Sequence, residues 1–493
     1  HLNTKKYSSR PIKDLSMKIE VETSGAEIKS VYSPSHEAEV KRHGKQRAVV
    51  GLEKKNMATD ADFLLYYSLK GKDGGDVDLS VLTHNPEDSD DDGHFMLLVS
   101  PGAWKKEEAA IPKDVVFVFD SSGSMRGKKI EQAKEAMKFC VDSLNDEDRF
   151  EIIRFSTEAE PVFGKMVAAA SKNRKKASKF IDSVRAIGGT AIEEALGEAA
   201  TIVSAKASKS RPTQVIFMTD GQPTIGAIKE DVILNSLRKK IGDSKSKVRV
   251  FCFGIGTNVN THLLDKITEE TNAVSQYVLP EENLEYKVSR FYSKISEPVL
   301  ADLKLEIDGP ERVRNIYPKN LPDLFKGDQM VVLGRYEPGS KKGDVILRGT
   351  IRGEKKTFKY EASFPKENDK NKFIPRIWAT RRVGYLLDEI RLRGEKKELK
   401  EEVARLARKY GVVTPYTSYL IIEDEKDRAV PLARRSLGGV APGASAPVAE
   451  DALAIEAEAK LSYDSFKREK SGDDAVRGAA SGSALKSASG FSD

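Results

Sequence analysis

Val115-Val116-Phe117-Val118-Phe119 runs straight into Asp120-Ser121-Ser122-Gly123-Ser124. A β-branched and aromatic run of that length, closed by a polar turn, reads as a strand buried on both faces, as in a parallel sheet. Ile130, Ala133, Ala136, Met137, Cys140, Val141 and Leu144 then recur at spacings of three and four, which predicts a helix. Strand, turn and helix together open a βαβ unit. In open α/β sheets ligands bind beyond the carboxyl ends of the strands, so one carboxylate and the serine hydroxyls stand at the binding edge. All are oxygen donors, suited to a hard divalent cation, and the lack of His or Cys among them argues against zinc.

The same alternation continues to about residue 297. Strands are expected at 150–155, 215–219, 248–254 and 277–279, and helices around 180–184, at 191–203, near Leu263-Leu264 and through Phe291. This order predicts an α/β doubly wound, mainly parallel sheet over 113–297. Residues 1–104 alternate apolar and polar, as in Met17, Ile19 and Val21, and read as a β-rich region. Residues 298–425 return to period two, carry two amphipathic helices between Ile377 and Tyr410, and end on an expected strand, Tyr419-Leu420-Ile421-Ile422. From 430 to 493 the chain is rich in Ala, Gly, Ser and Pro and reads as a mostly disordered tail with a fragile helix near 452–461.

At 493 residues the chain exceeds one core and should hold about three domains. The net charge of +6 is small beside 82 basic and 76 acidic side chains, so bulk charge selects no partner. Basic clusters such as Lys172 to Lys176 lie on helical patterns without aromatic neighbours, which disfavours nucleic-acid binding. No apolar stretch is long enough to span a bilayer. Cys140 and Cys252 fall on apolar positions and read as buried thiols. The chain opens on His1 rather than Met, as expected of a processed product or an excised piece, and no signal peptide fixes the compartment.

Three separated segments carry matching chemistry. Asp120, Ser122 and Ser124 follow the first strand at i, i+2 and i+4. Thr190 follows Gly188-Gly189, a pair that lets the backbone turn sharply. Asp220 ends the apolar strand Val215 to Thr219, and Gly221 frees the chain to turn away. If these strands are neighbours, five oxygen-bearing side chains converge on the sheet edge.

This pattern, Asp-x-Ser-x-Ser, then Thr, then Asp-Gly, resembles the metal-ion-dependent adhesion site of von Willebrand factor type A domains. The resemblance implies Mg²⁺, or Ca²⁺ or Mn²⁺, ligated directly by the hydroxyls of Ser122, Ser124 and Thr190. Asp120 and Asp220 would act largely through water. Other stretches are similar to inter-α-trypsin inhibitor heavy chains and to bacterial proteins with the same domain layout. They include Ser30 to His36, Asp62 to Tyr67, Gly93 to Leu97, Leu321 to Gly327, Trp378 to Arg381, and Tyr410 to Ser418. That resemblance covers about residues 11–425. It implies an extracellular or cell-surface protein that binds a protein or matrix ligand through a Glu or Asp carboxylate, and not an enzyme. Residues 1–104 would be the remnant or tail of the family's N-terminal domain. The Asp-Pro-His-type carboxyl end used in hyaluronan transfer is absent, so that activity does not carry over.

Competing motifs are weaker. Asp88, Asp90, Asp92 and Gly93 match half of a calcium loop, but Val99 stands where a bidentate Glu is required, so a hairpin turn is expected. A phosphatase of the haloacid dehalogenase type needs a second carboxylate where Ser122 stands. Gly254-Ile255-Gly256 lacks the third glycine of a dinucleotide loop, and Gly127-Lys128-Lys129 lacks phosphate-loop spacing. Three functions follow in order: a metal-dependent binding module, a scaffold whose metal only stabilises the fold, and last a metal-dependent hydrolase. Specificity is expected in Met125-Arg126, Gln222-Pro223-Thr224 and Thr257 to Asn260.

Overall fold

The computed structural model describes residues 12–23, 27–32, 39–57, 63, 65–69, 77–87, 92–101, 111–205, 208, 210–242, 247–325, 329–338, 342–412, 414, 416–421 and 449–488. The N-terminal strands are β1 (Ile12–Glu22), β2 (Ile28–Tyr32), β3 (Glu39–His43), β4 (Arg47–Met57), β5 (Tyr66–Leu69), β6 (Val77–His84) and β7 (Gly93–Pro101). The α/β segment holds β8 (Asp114–Asp120), α1 (Lys128–Asp142), β9 (Arg149–Phe155), β10 (Ala159–Pro161), β11 (Val167–Ala168), α2 (Ser171–Ser183) and α3 (Ile192–Ala205). It continues through β12 (Thr213–Thr219), α4 (Glu230–Gly242), β13 (Val248–Ile255), α5 (Thr261–Glu270), β14 (Ser275–Val278) and α6 (Leu284–Ile295). Then come β15 (Pro298–Ile307), β16 (Arg312–Tyr317), β17 (Leu324–Phe325), β18 (Met330–Glu337), β19 (Lys342–Ile351) and β20 (Glu354–Ser363). The described chain closes on the helices α7 (Ile374–Arg393), α8 (Lys397–Tyr410), α9 (Ala449–Arg468) and α10 (Asp473–Ser487), with a short helical stretch at 416–421 between α8 and α9.

The expected doubly wound sheet is present, in the order β10-β9-β8-β12-β13-β14, with β11 also on β9. β9, β8, β12, β13 and β14 are parallel; the short β10 and β11 run antiparallel and protect the edge. Every residue of β8 is buried, and its side chains divide by parity. Val115, Phe117 and Phe119 pack on α1, α2 and α6, while Val116 and Val118 pack on α3, α4 and α5. The chain leaves β8 for α1 on one face and leaves β12 for α4 on the other. A crevice therefore opens between these adjacent strands at their carboxyl ends. Asp120 and Asp220 stand at that crevice.

Strand pairing crosses the boundaries that the sequence pattern implies. β6 and β7 join β16 and β18 in one antiparallel sheet, because Leu97 and Val99 of β7 offer the same apolar face as Val332 of β18. That sheet packs Phe95, Leu97 and Val332 against Leu300, Val345 and Leu347 of the β17-β15-β19-β20 sheet. Its other face carries Met96 and Leu333 onto Ile377, Trp378 and Leu387 of α7. β6 and β7 pair antiparallel, the strand arrangement of the expected hairpin. Asp88 and Asp90 lie outside the described residues, and Asp92 is held by Arg314 and Arg335.

Two expectations need correction. Residues 416–421 are helical, not a strand, because Tyr416 and Leu420 lie four apart and both are buried. Tyr416 stacks on Phe466 and Tyr419 on Tyr463, with ring centres 4.2 and 5.0 Å apart. Within the tail expected to be mostly disordered, residues 449–488 are ordered as α9 and α10. The anticipated helix at 452–461 belongs to the longer α9. In α10, Ala475, Val476, Gly478, Ala479, Gly482 and Leu485 are buried at helical spacing. The lack of a side chain at Gly384 of α7 permits close approach: a side chain there would meet Leu485 at 2.8 Å.

Candidate functional site

The register places Met218 opposite Phe119, so Thr219 lies level with Asp120. Asp120 is fully buried, and both of its oxygens are engaged. Oδ1 accepts from the Ser122 backbone N–H at 2.7 Å, closing a tight turn after β8, and Oδ2 accepts from the Thr219 hydroxyl at 2.6 Å. Ser122 and Ser124 share a hydrogen bond at 3.0 Å between their hydroxyls. Ser124 is on the surface, and its hydroxyl bonds Asp220 Oδ1 at 2.7 Å. Four of the five residues singled out in the sequence thus form one chain, Asp120–Ser122–Ser124–Asp220.

Thr190 reaches the same place from a third segment. Gly188 has φ +90, and a side chain on it would meet the Thr157 hydroxyl at 2.6 Å, so this turn requires glycine. The Gly188 carbonyl accepts from Gly123 N–H at 3.0 Å, joining the Thr190 turn to the Ser122 turn. The Thr190 backbone is then paired with Thr224, in the loop after Asp220. A Cβ built on Gly221 would lie 3.5 Å from Thr190 Oγ1 and 3.9 Å from Ser124 Oγ. Gly221 therefore leaves a small cradle between two hydroxyls that any other residue would begin to fill.

Burial pushes the Asp120 carboxyl up to about 6. The Ser122 and Thr219 hydrogen bonds pull against that rise, and the nearby Asp220 carboxylate adds to it. Two buried carboxylates at one edge are electrostatically costly, and a cation among them would offset that cost. The donors are two acids and three hydroxyls, with an open mouth at Ser124, a set suited to a hard, partly hydrated ion such as Mg²⁺. Among the described residues no group of three or more His, Cys, Asp or Glu side chains could hold a metal, so a transition-metal cage is not offered there.

Two participants were not visible in the sequence pattern. Thr219 closes the second oxygen of Asp120, and Lys129 Nζ donates to Asp220 Oδ2 at 2.6 Å. Of the loops expected to surround the site, Gln222 and Thr257 are bound by the C-terminal segment. Gln222 Nε2 donates to Ser471 Oγ at 2.8 Å and Gly472 N–H to the Thr257 carbonyl at 2.7 Å.

Residues 113–276 match the von Willebrand factor type A domain family. The α/β segment is a von Willebrand factor type A domain. Beyond this A domain the chain is similar to inter-α-trypsin inhibitor heavy chains. It is 27% identical to human heavy chain H4 over 368 residues, 71% of this chain and 38% of the relative. Against human heavy chain H2 it is 26% identical, over 64% of this chain and 35% of the relative. The chain thus spans roughly two fifths of the length of the curated relatives it matches. A solved von Willebrand factor type A protein from Catenulispora acidiphila superposes with a TM-score of 0.51 at 19% identity, covering 79% of this chain and 98% of that one, a likeness of fold. Among the described residues no helix is long and apolar enough to cross a membrane.

Proposed function

We propose that the A domain is a divalent-cation-dependent protein-binding module of adhesion type, acting outside the cell or at its surface. Mg²⁺, or Ca²⁺ or Mn²⁺ in its place, would be held by the hydroxyls of Ser122, Ser124 and Thr190, with Asp120 and Asp220 supplying the negative charge. A Glu or Asp carboxylate of a protein or matrix partner would complete the ion's coordination at the exposed Ser124 side. The single observation that carries this reading is the convergence of Ser124, Asp220 and Thr190 around the gap left by Gly221.

Bound there, the ion supplies positive charge to a partner's carboxylate. The protein's part is to hold the ligands rigid. The Ser122 turn is fixed by Asp120 Oδ1, the Thr190 turn by Gly123 and Thr224, and Asp220 by Ser124. Binding is favoured over hydrolysis because Asp120 is fully buried with both oxygens hydrogen-bonded to the protein, and Asp220 would be committed to the ion, so neither faces a substrate as a general base.

The test is capture from extracellular-matrix and cell-surface fractions on immobilised protein, eluted with EDTA and compared between Mg²⁺ and Ca²⁺. A partner should be released by EDTA and absent from the Asp220→Ala protein. A partner retained equally by both proteins in EDTA favours the scaffold function instead, with binding through the flanking β-sheets.

A further inference from the structure

Lys129 is a charge that the five-residue metal pattern does not contain. It lies in the first turn of α1 and reaches back to the sheet edge, where its ammonium donates to Asp220 Oδ2 at 2.6 Å. Asp220 Oδ1 meanwhile receives the Ser124 hydroxyl. The Asp220 side chain has no solvent exposure, whereas Lys129 keeps 38% of its own. The ammonium also lies 3.5 Å from where a side chain on Gly256, just past the end of β13, would begin.

Resting on the metal-site reading above, we propose that Lys129 is a tethered cation that competes with the divalent ion for Asp220 and so sets the metal affinity. A divalent ion drawing on Asp220 would sit beside an ammonium bonded to the same carboxylate, and the two repel. Lysine is suited to yield: its charge is compact, its stem flexible, and its head can move into the solvent it already touches. The divalent ion then binds at the cost of displacing the ammonium. A partner's carboxylate arriving on the ion neutralises part of the excess positive charge. Metal and partner therefore tighten each other, and by linkage the coupling is equal in both directions. Without the lysine the ion would bind tightly by itself and lose much of that coupling.

The experiment is calorimetric titration of the full chain with Mg²⁺ alone, on wild type, Lys129→Met and Lys129→Arg. Thermal melting in EDTA identifies the folded fraction of each. Lys129→Met should bind Mg²⁺ about tenfold more tightly than wild type. Lys129→Arg, which keeps the charge, should remain within about threefold of wild type. In EDTA the methionine variant should melt lower, since Asp220 has lost its partner, while Mg²⁺ restores it. If Lys129→Met binds Mg²⁺ no better than wild type, or more weakly, the lysine only positions Asp220 and the competition is overturned. If none of the three proteins binds Mg²⁺, the metal-site reading itself fails and this inference falls with it.

Discussion

Thr219 and Asp120 end neighbouring parallel strands, and the Thr219 hydroxyl donates to Asp120 Oδ2 at 2.6 Å while accepting from Gly221 N–H. One hydroxyl thus locks the tips of β8 and β12 together directly beneath the candidate site. Thr219→Val keeps the shape and removes the donor. Leaving the buried carboxylate short of a partner should cost about 1–3 kcal/mol in urea unfolding. A loss below about 0.5 kcal/mol would mean that Asp120 finds a replacement donor.

Gly221→Ala separates fold from metal binding. The added methyl meets its nearest atoms at 3.5 Å or more, an ordinary contact, so stability in EDTA should change by less than about 0.5 kcal/mol. The methyl stands between the Thr190 and Ser124 hydroxyls, however, and the rise in melting temperature on adding Mg²⁺ should disappear. Differential scanning calorimetry with and without Mg²⁺ reads both effects.

At the opposite end of the sheet, Lys113 and Asp148 form an ion pair with no solvent exposure on either side chain, their charged atoms 2.5 Å apart. Asp148 also accepts from the backbone N–H groups of Lys113 and Asn145, which pins the β9 entry to β8. Lys113→Met strands a buried carboxylate and should cost about 3–5 kcal/mol, read by urea unfolding. Replacing both partners with apolar residues should recover part of that loss.

The C-terminal segment holds the A domain through Glu230. Burial pushes this carboxyl up, but Lys470, Lys266 and Asn260 outweigh it and hold the pKa at about 2 against an ordinary 4.5. A depressed folded-state pKa contributes stability above the unfolded value and loses it as pH falls toward the folded one. Lys470→Met should therefore melt below wild type at neutral pH, and the gap should narrow between pH 4.5 and 2. A gap that stays constant through that interval would assign the effect to packing rather than charge.

The centre of this molecule was legible because its signals are local. A fully apolar strand, a polar turn and a 3–4 apolar spacing lie side by side at Val115 to Leu144, and they place Asp120 at the sheet edge without any long-range information. What escaped depends on distant partners. The pairing of β7 with β18 joins residues more than two hundred positions apart, and each strand alone shows only alternation. α10 buries small residues, whose composition resembles an unstructured tail until α7 and the A domain supply the opposite surface. Lys129 belongs to a basic pair that also fits a solvated helix start, so only its hydrogen bond to Asp220 distinguishes it.

The most direct measurement is anomalous diffraction from a crystal of the full chain soaked in Mn²⁺. One strong peak is expected within bonding distance of the Ser122, Ser124 and Thr190 hydroxyls, with the Lys129 ammonium displaced from Asp220. A crystal that takes up no Mn²⁺ at the tips of β8 and β12, or holds it only elsewhere, would contradict the account.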